Sequence, residues 1–224
     1  MSLESRAWLS IVGLALAMGI LLFVPAGTVR YWQAWIQLIV YFTAAALITR
    51  DLMRRDPALL RRRMHGGPTA EKEPTQRLIM VFASLGFVSL LVVPALDRRF
   101  GWSSVPVALV LAGDVLTAVG FGLVARVYRE NPFSAATVEV EAGQRVVTTG
   151  PYAIVRHPLY ASSSLYLVGM PLALGSWWGF VGLGVMWPFL IWRLLDEERL
   201  LARDLPGYRE YQQRVRWRLV PGVW

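Results

Sequence analysis

The chain has 224 residues, of which 55% are hydrophobic, and its formal net charge is +8. This composition is too apolar for an ordinary soluble domain and indicates an integral membrane protein. The absence of cysteine excludes disulfides, thiolate catalysis and thiolate metal ligands, and with only two histidines we expect no metal site. We attribute the positive charge to the cytoplasmic bias of Lys and Arg in membrane proteins, and we expect no nucleic-acid partner.

Apolar runs predict the membrane elements in chain order. Four runs are long enough to span the bilayer, and a fifth is interrupted near Gly175, which indicates a helical hairpin. The runs cover residues 7–25, 31–49, 78–96, 105–128 and 158–195. We therefore predict an all-α integral membrane fold: four transmembrane helices plus a C-terminal helical hairpin, giving five to six spans.

Two regions follow from this division. The first, residues 1–128, holds the N-terminal transmembrane helices. The second, residues 129–224, holds a polar approach segment, the hairpin and an amphipathic tail. The 50–77 and 129–157 connections and the tail together hold many more Lys and Arg than the three arginines of the other connections, which predicts that they, both termini and a cofactor pocket are cytoplasmic. We expect the membrane to be a bacterial inner membrane.

The stretch "GPYAIVRHPLY", residues 150–160, is unusually polar for this chain. Pro158 favours a helix start and moves the preceding residue out of helical geometry. The free N–H groups of that helix end would face the same spot. Donors for an anion and aromatic faces for a ring or cation can converge there, from Tyr152, Arg156, His157 and Tyr160. The alternative is an interfacial anchor.

The stretch "WRLLDEERLL", residues 192–201, places Arg193 and Glu197 on one helical face, whereas Glu198 points about 100° away. A snorkelling arginine followed by solvated acids would explain this pattern. Acidic residues on a face expected to be cationic instead favour a bound cationic ligand. The tail, residues 206–224, alternates tyrosine, tryptophan and arginine and is typical of an interfacial segment lying along anionic lipid.

These stretches, in this order, resemble the isoprenylcysteine carboxyl methyltransferase family of integral membrane enzymes. The pattern is G-x-Y-x-x-x-R-H-P-x-Y, a hairpin, R-x-x-x-E-E-x-x-L and Y-x-x-Y. The matching residues are Gly150, Tyr152, Arg156, His157, Pro158, Tyr160, Arg193, Glu197, Glu198, Leu201, Tyr208 and Tyr211. Ala161 departs from the glycine that family members often have there. The N-terminal runs match only as membrane sequence.

The resemblance implies S-adenosyl-L-methionine (SAM) as cofactor. It implies Arg193, Glu197 and His157 as catalytic residues, with Arg193 also binding the acceptor, and a short strand over residues 144–147. The implied cofactor-binding residues are Gln144, Arg145, Val146, Val147, Tyr152, Arg156, His157, Tyr160, Leu165, Val168, Glu197 and Glu198.

The resulting functional expectation is a membrane methyltransferase of carboxyl O-methyl type. It would act on a lipophilic or amphipathic acceptor, with the carboxylate of a prenylated cysteine as one candidate. Two alternatives stay open. A membrane NADPH-dependent sterol-type reductase shares a similar Arg-His-Pro-x-Tyr turn, but here Ala161 and three serines follow the turn. A non-catalytic lipid-binding or transport protein is the other, although Asp114 is the only charged residue deep in the first four runs.

Overall fold

The computed structural model describes residues 1–140 and 143–224, and no strand occurs among them. Residues 141 and 142, within the expected polar approach segment, lie outside the described residues. The helices are α1 Leu3–Ala26, α2 Trp32–Arg55, α3 Pro57–Met64, α4 Pro74–Phe100, α5 Val107–Glu130, α6 Pro158–Ala173, α7 Phe180–Asp204 and α8 Tyr208–Arg214, with a short 3-10 helix at Gly150–Ala153.

Local sequence signals account for many helix ends. Proline occupies the start of α3, α4 and α6, where its missing N–H costs nothing. Helices α1 and α4 end at Gly27 and Gly101, whose φ angles of 66° and 67° are left-handed and suit glycine. The predicted start of the hairpin at Pro158 is confirmed.

Among the described residues, α1, α2, α4 and α5 are long and apolar enough to cross a membrane. Large apolar side chains such as Leu16 and Val24 on α1 are exposed and form a surface suited to lipid. The expected set of four membrane-spanning helices is therefore present, and the fold is that of an integral membrane protein. Each of these helices continues past the C-terminal end of its apolar run, and α1 and α4 also begin before theirs.

The fifth apolar stretch forms two helices, α6 and α7, which pack mainly against other helices rather than against each other: α6 lies on α5, and α7 lies on α4. Glycine allows both approaches. A Cβ on Gly113 would lie 2.4 Å from the Ala173 nitrogen, and a Cβ on Gly182 would lie 2.8 Å from the Leu90 nitrogen. Because those neighbours are backbone atoms, the helices can approach this closely only at glycine.

The end of the bundle opposite the polar segments is held by Asp97, which is 1% exposed. Its carboxylate accepts hydrogen bonds from the Ser103 nitrogen at 2.7 Å and from the hydroxyls of Ser103 and Ser176 at 2.5 Å each. Asp97 thus joins the connection after α4 to the turn after α6. Helix α6 has 16 residues and so rises about 24 Å, less than the roughly 30 Å hydrocarbon core.

Two local expectations differ from the structure. Residues 144–147 are irregular rather than a strand. In the tail, Tyr208 and Tyr211 are 4% and 1% exposed and pack with Leu205 and Val146, so these two residues of the expected interfacial segment are buried in the protein and do not lie along lipid. Their rings gain more by burial in this small core than by staying at a lipid surface.

Candidate active site

A cavity of about 360 Å³ lies where α4, α6, α7 and α8 meet the segments 131–139 and 144–147. One part of its wall is polar and formed by the irregular segments and the Arg156–His157 turn. The other part is apolar and formed by Phe87, Met186 and Leu190 of the long helices. The volume falls within the range of about 300–1,000 Å³ usual for small-molecule sites.

Most residues expected to bind the cofactor line this cavity. They are Gln144, Arg145, Val146, Val147, Tyr152, Arg156, His157, Tyr160 and Glu197, and the expected acceptor residue Arg193 lines it too. Leu165, Val168 and Glu198 are not part of the lining. Helix α6 presents Tyr160, Ser163 and Leu167 to the cavity, and the 3.6-residue period turns Leu165 and Val168 away.

Glu198 is the centre of a buried ion-pair cluster. Its Oε1 accepts from Arg156 Nε at 2.7 Å and lies 3.1 Å from His157 Nε2, while Oε2 accepts from Arg218 Nε at 3.0 Å. Arg156, His157, Glu198 and Arg218 are called the Glu198 cluster below. Burial raises the pKa of Glu198, but hydrogen bonds from His157, Arg156 and Arg218 outweigh it and lower the pKa to about 2. The group is therefore a carboxylate at neutral pH.

The tail completes this cluster. The backbone nitrogens of Arg156 and His157 donate to the carbonyls of Trp217 and Arg218, at 2.9 and 3.0 Å. Arg156 Nη1 also donates to the carbonyl of Val215 at 2.9 Å. The donors of Arg156 were expected to meet a ligand, but these contacts direct them to the protein itself. The turn is a rigid wall of the cavity, built by Glu198 and the tail.

Arg193 belongs to a second buried network. Its Nη2 donates to Glu71 Oε1 at 2.6 Å and to the Ala136 carbonyl at 2.7 Å, and its Nη1 donates to Gln76 Oε1 at 2.9 Å. Glu71 and Arg193 are 3% and 6% exposed. Glu71, Gln76 and Arg193 are called the Glu71 cluster below. Gln76 Nε2 continues the network to Asp196 at 3.1 Å. Sequence reasoning missed Glu71 and Gln76; an acidic residue inside a basic connection was the available signal.

Glu197 faces the cavity and has a different partner. The Tyr160 hydroxyl donates to Glu197 Oε2 at 2.8 Å. Among the described lining residues the other acid is Glu139, which is bound by Lys72 at 2.7 Å. The three consecutive acidic residues 196–198 therefore have three different environments. Asp196 binds Gln76 and Arg199, Glu198 lies in its own cluster, and Glu197 remains to meet a ligand.

Tyrosines form much of the remaining polar wall. Asn131 Nδ2 donates to the Tyr152 hydroxyl at 2.8 Å, and the Tyr211 hydroxyl donates to the Tyr152 carbonyl at 2.7 Å. The Tyr208 hydroxyl is buried and has no hydrogen-bond partner among the residues that the structure describes. Burial raises the pKa of Tyr208, which keeps its phenol protonated. Tyr208 lines the cavity, so a bound polar group would satisfy it; the Y-x-x-Y pattern contained this residue, yet it was not among the expected site residues.

Within the described part of the chain, no group of three or more His, Cys, Asp and Glu side chains could hold a metal ion. The cavity wall instead offers the carboxylate of Glu197, which carries no bonded cation among the described residues, together with the guanidinium of Arg145 and several phenols. This is a donor set for an organic ligand that carries both an anionic and a cationic centre.

The site segment matches a known family. Residues 108–205 fit the family model described as phospholipid methyltransferase. The match covers slightly less than half of the chain, from α5 to the end of α7, and includes the Arg156–His157 turn, Arg193 and Glu197. The expected resemblance to integral membrane methyltransferases is therefore confirmed for this segment. No curated protein matches the chain.

Proposed function

We propose that this chain is an integral membrane SAM-dependent methyltransferase that acts on a lipidic or amphipathic acceptor taken from the bilayer. One observation carries the proposal: a single cavity joins a polar wall, where Glu197 and Tyr208 can bind a ligand, to an apolar wall formed by Phe87 of the membrane-spanning α4 and by Met186 and Leu190 of α7. A polar cofactor and a lipophilic acceptor can thus meet in one cavity. The family match of the segment that carries Arg193 and Glu197 supports the same reaction class.

The residues present fit SAM. Its carboxylate suits Arg145 and the Tyr208 hydroxyl, and its adenine suits the tyrosine rings of the wall. Its sulfonium suits Glu197, whose charge is not cancelled by a bonded cation in the way that Lys72 cancels Glu139. A cation held beside a carboxylate in a partly dry site interacts more strongly than it would in water.

When bound, SAM supplies an electrophilic methyl group. The chain's own residues would contribute alignment and exclusion of water. Tyr160 orients Glu197 toward the cofactor, and Leu190 and Met186 keep water from the acceptor end. His157, expected to be catalytic, has its Nε2 engaged with Glu198 and would act by holding the cavity wall. An acceptor that must lose a proton would find Glu197 as the base.

A binding comparison tests the proposal against its alternatives. The purified protein in detergent is titrated calorimetrically with S-adenosylhomocysteine (SAH) and with NADPH, and is then incubated with methyl-tritiated SAM and total bacterial lipid. We expect SAH to bind, NADPH not to bind, and tritium to enter the lipid fraction. Binding of NADPH without SAH would favour the reductase, and no binding of either would favour a non-catalytic lipid-binding protein.

The cytoplasmic position of the cavity and of both termini is part of the same proposal, supported by the Lys and Arg residues of the connections, eight in 50–77 and three in 129–157. The chain has no cysteine, so single cysteines can be labelled without background. Exposed Thr69 and Arg209 mark the cavity end, and exposed Val29 marks the opposite end. In intact cells a membrane-impermeant maleimide should label Val29→Cys only. Labelling of Thr69→Cys or Arg209→Cys from outside would overturn the orientation.

A further inference from the structure

Arg193 lies at the acceptor end of the cavity. It precedes Glu197 by one helical turn, which places it about 6 Å further along α7 toward the apolar wall formed by Leu190 and Met186. An acceptor that enters from the bilayer with its apolar chain against that wall would bring its polar end to Arg193. Under the proposed function, the state of Arg193 therefore decides which polar end is accepted.

The charge of Arg193 is already neutralised. Glu71 binds it at 2.6 Å, and both side chains are more than nine-tenths buried. Its two terminal nitrogens donate to Gln76, Glu71 and the Ala136 carbonyl. An incoming carboxylate would have to displace Glu71, and a displaced, buried Glu71 would be left without its counter-ion, which is costly.

The charges around Arg193 also disfavour an acceptor that carries a carboxylate. Arg193 is bonded to Glu71, and the charge of Glu197 also acts on it, so these three groups comprise two carboxylates and one guanidinium. Arg156, another cation of the wall, is bound to Glu198. Arg63 donates to the Ala135 carbonyl and lies over the Tyr128 ring, contacts that hold it at the wall without cancelling its charge. Within the set of Glu71, Arg193 and Glu197, a bound sulfonium would bring the net charge to zero, and an added anion would make it negative again.

We propose that Glu71 is a specificity-determining residue: by neutralising Arg193 it selects acceptors with an uncharged nucleophile, such as an amine, over acceptors with a carboxylate. This inference rests on the proposed function. An amine that arrives as an ammonium ion first gives a proton to water, which frees the nitrogen lone pair. In the transfer, that lone pair forms the new C–N bond and the electrons of the broken S–C bond stay on sulfur. The methylated nitrogen takes the positive charge that sulfur loses and then releases its proton to Glu197 or to water.

The test compares two acceptors in one preparation, because the ratio of their kcat/KM values does not depend on the fraction of folded enzyme. The probes are phosphatidylethanolamine and N-acetyl-S-farnesylcysteine in the same mixed micelles, with SAM in excess. Wild type should prefer the amine. Glu71→Gln should move the ratio at least about tenfold toward the carboxylate, the change expected for one freed charge-assisted hydrogen-bond donor.

Glu71→Asp should restore the wild-type ratio. Glu73→Gln removes a charge from an exposed residue of the same connection and should change the ratio less than twofold.

A second measurement needs no variant. Dodecylamine and dodecanoate, which share one apolar chain, are compared as competitors of the better acceptor in wild type, and the amine should inhibit at least about tenfold more strongly, by the same reasoning. The proposal is wrong if wild type prefers the carboxylate probe, if dodecanoate competes as well as dodecylamine, or if Glu71→Gln slows both acceptors equally. If the protein binds no SAH at all, the proposed function itself has failed, which is a different result.

Discussion

The Glu198 cluster and the Glu71 cluster both place an arginine at the cavity wall beside a buried carboxylate, yet they are assembled over different distances along the chain. Arg156 and Glu198 are 42 residues apart, and their further partner, Arg218, comes from the tail. Arg193 and Glu71 are 122 residues apart, and Gln76 begins a membrane-spanning helix. The first cluster closes the C-terminal region on itself, whereas the second ties that region to the N-terminal helices.

The difference separates two tasks within one cavity. The Glu198 cluster fixes the Arg156–His157 turn and the tail, which form the polar wall expected to meet the cofactor. The Glu71 cluster fixes the proposed acceptor end through Arg193 and the Ala136 carbonyl. Damage to the first should appear mainly as lost stability, and damage to the second should appear also as altered acceptor choice.

The largest expected effect is that of Glu198→Ala. The change leaves Arg156 and the buried His157 without their shared carboxylate, and removing one partner of a buried ion pair typically costs about 3–5 kcal/mol. Unfolding by sodium dodecyl sulfate in mixed micelles, followed by tryptophan fluorescence, measures the free energy. The matched control is Glu210→Ala at an exposed position of α8, expected to cost less than about 1 kcal/mol. Equal stability of the two variants would show that the Glu198 cluster does not hold the fold.

The next effect concerns coupling within the Glu71 cluster. Arg193→Met and Glu71→Met should each destabilise the protein, because each leaves a buried charge unpaired. The double variant should be less destabilised than the sum, by about 2 kcal/mol, since neither charge then remains. The same unfolding measurement completes the cycle. Additive effects would mean that the 2.6 Å pair contributes no coupling, and the contrast between the clusters would be lost.

Much of the architecture could be predicted from sequence because each signal is local. Apolar runs of sufficient length mark the four spanning helices, and Pro158 marks the start of α6. The Arg156–His157 turn, Arg193 and Glu197 stand in short motifs whose spacing is set by one helix or one turn. These residues do line the cavity.

What could not be predicted depends on contacts between distant segments. The acidic character of Glu71 within a basic connection could mark it as unusual, but it does not identify Arg193 as its partner, because the packing of α4 against α7 brings the two together. The burial of Tyr208 and Tyr211 likewise depends on how the tail folds back, whereas their alternation with arginine is typical of a membrane interface. Glu197 and Glu198 are adjacent in sequence, and the rotation of α7 alone sends one to the cavity and the other into its ion-pair cluster.

A smaller effect should distinguish the carboxylate of Glu197, which has no bonded cation in the described part of the chain, from the carboxylate of Glu139, which is paired with Lys72. Glu197→Gln keeps an oxygen that can accept from Tyr160 but removes the charge opposite the sulfonium. We expect the affinity for SAM to fall about tenfold and that for SAH, which lacks the cationic sulfur, to fall less than threefold, with thermal melting unchanged. Calorimetric titration gives both constants. Glu139→Gln is the matched control, because this cavity residue is already paired with Lys72 and should affect the two ligands alike. Equal losses for SAM and SAH in Glu197→Gln would remove Glu197 from the sulfonium site.

The smallest expected effect is the pH dependence carried by Glu198. Hydrogen bonds from His157, Arg156 and Arg218 hold the pKa of this carboxyl at about 2 in the folded protein, below its ordinary value of about 4.5. A lowered folded pKa stabilises the protein fully above the unfolded pKa, and that stabilisation is lost as pH falls through 4.5 toward 2. Between pH 7 and pH 4 the loss should be no more than about 1 kcal/mol. Glu198→Gln cannot titrate, so the difference in unfolding free energy between wild type and this variant should shrink over that interval. A difference that stays constant from pH 7 to pH 4 would mean that Glu198 titrates alike in folded and unfolded chains, and the charge of the cluster would then not contribute to its stability.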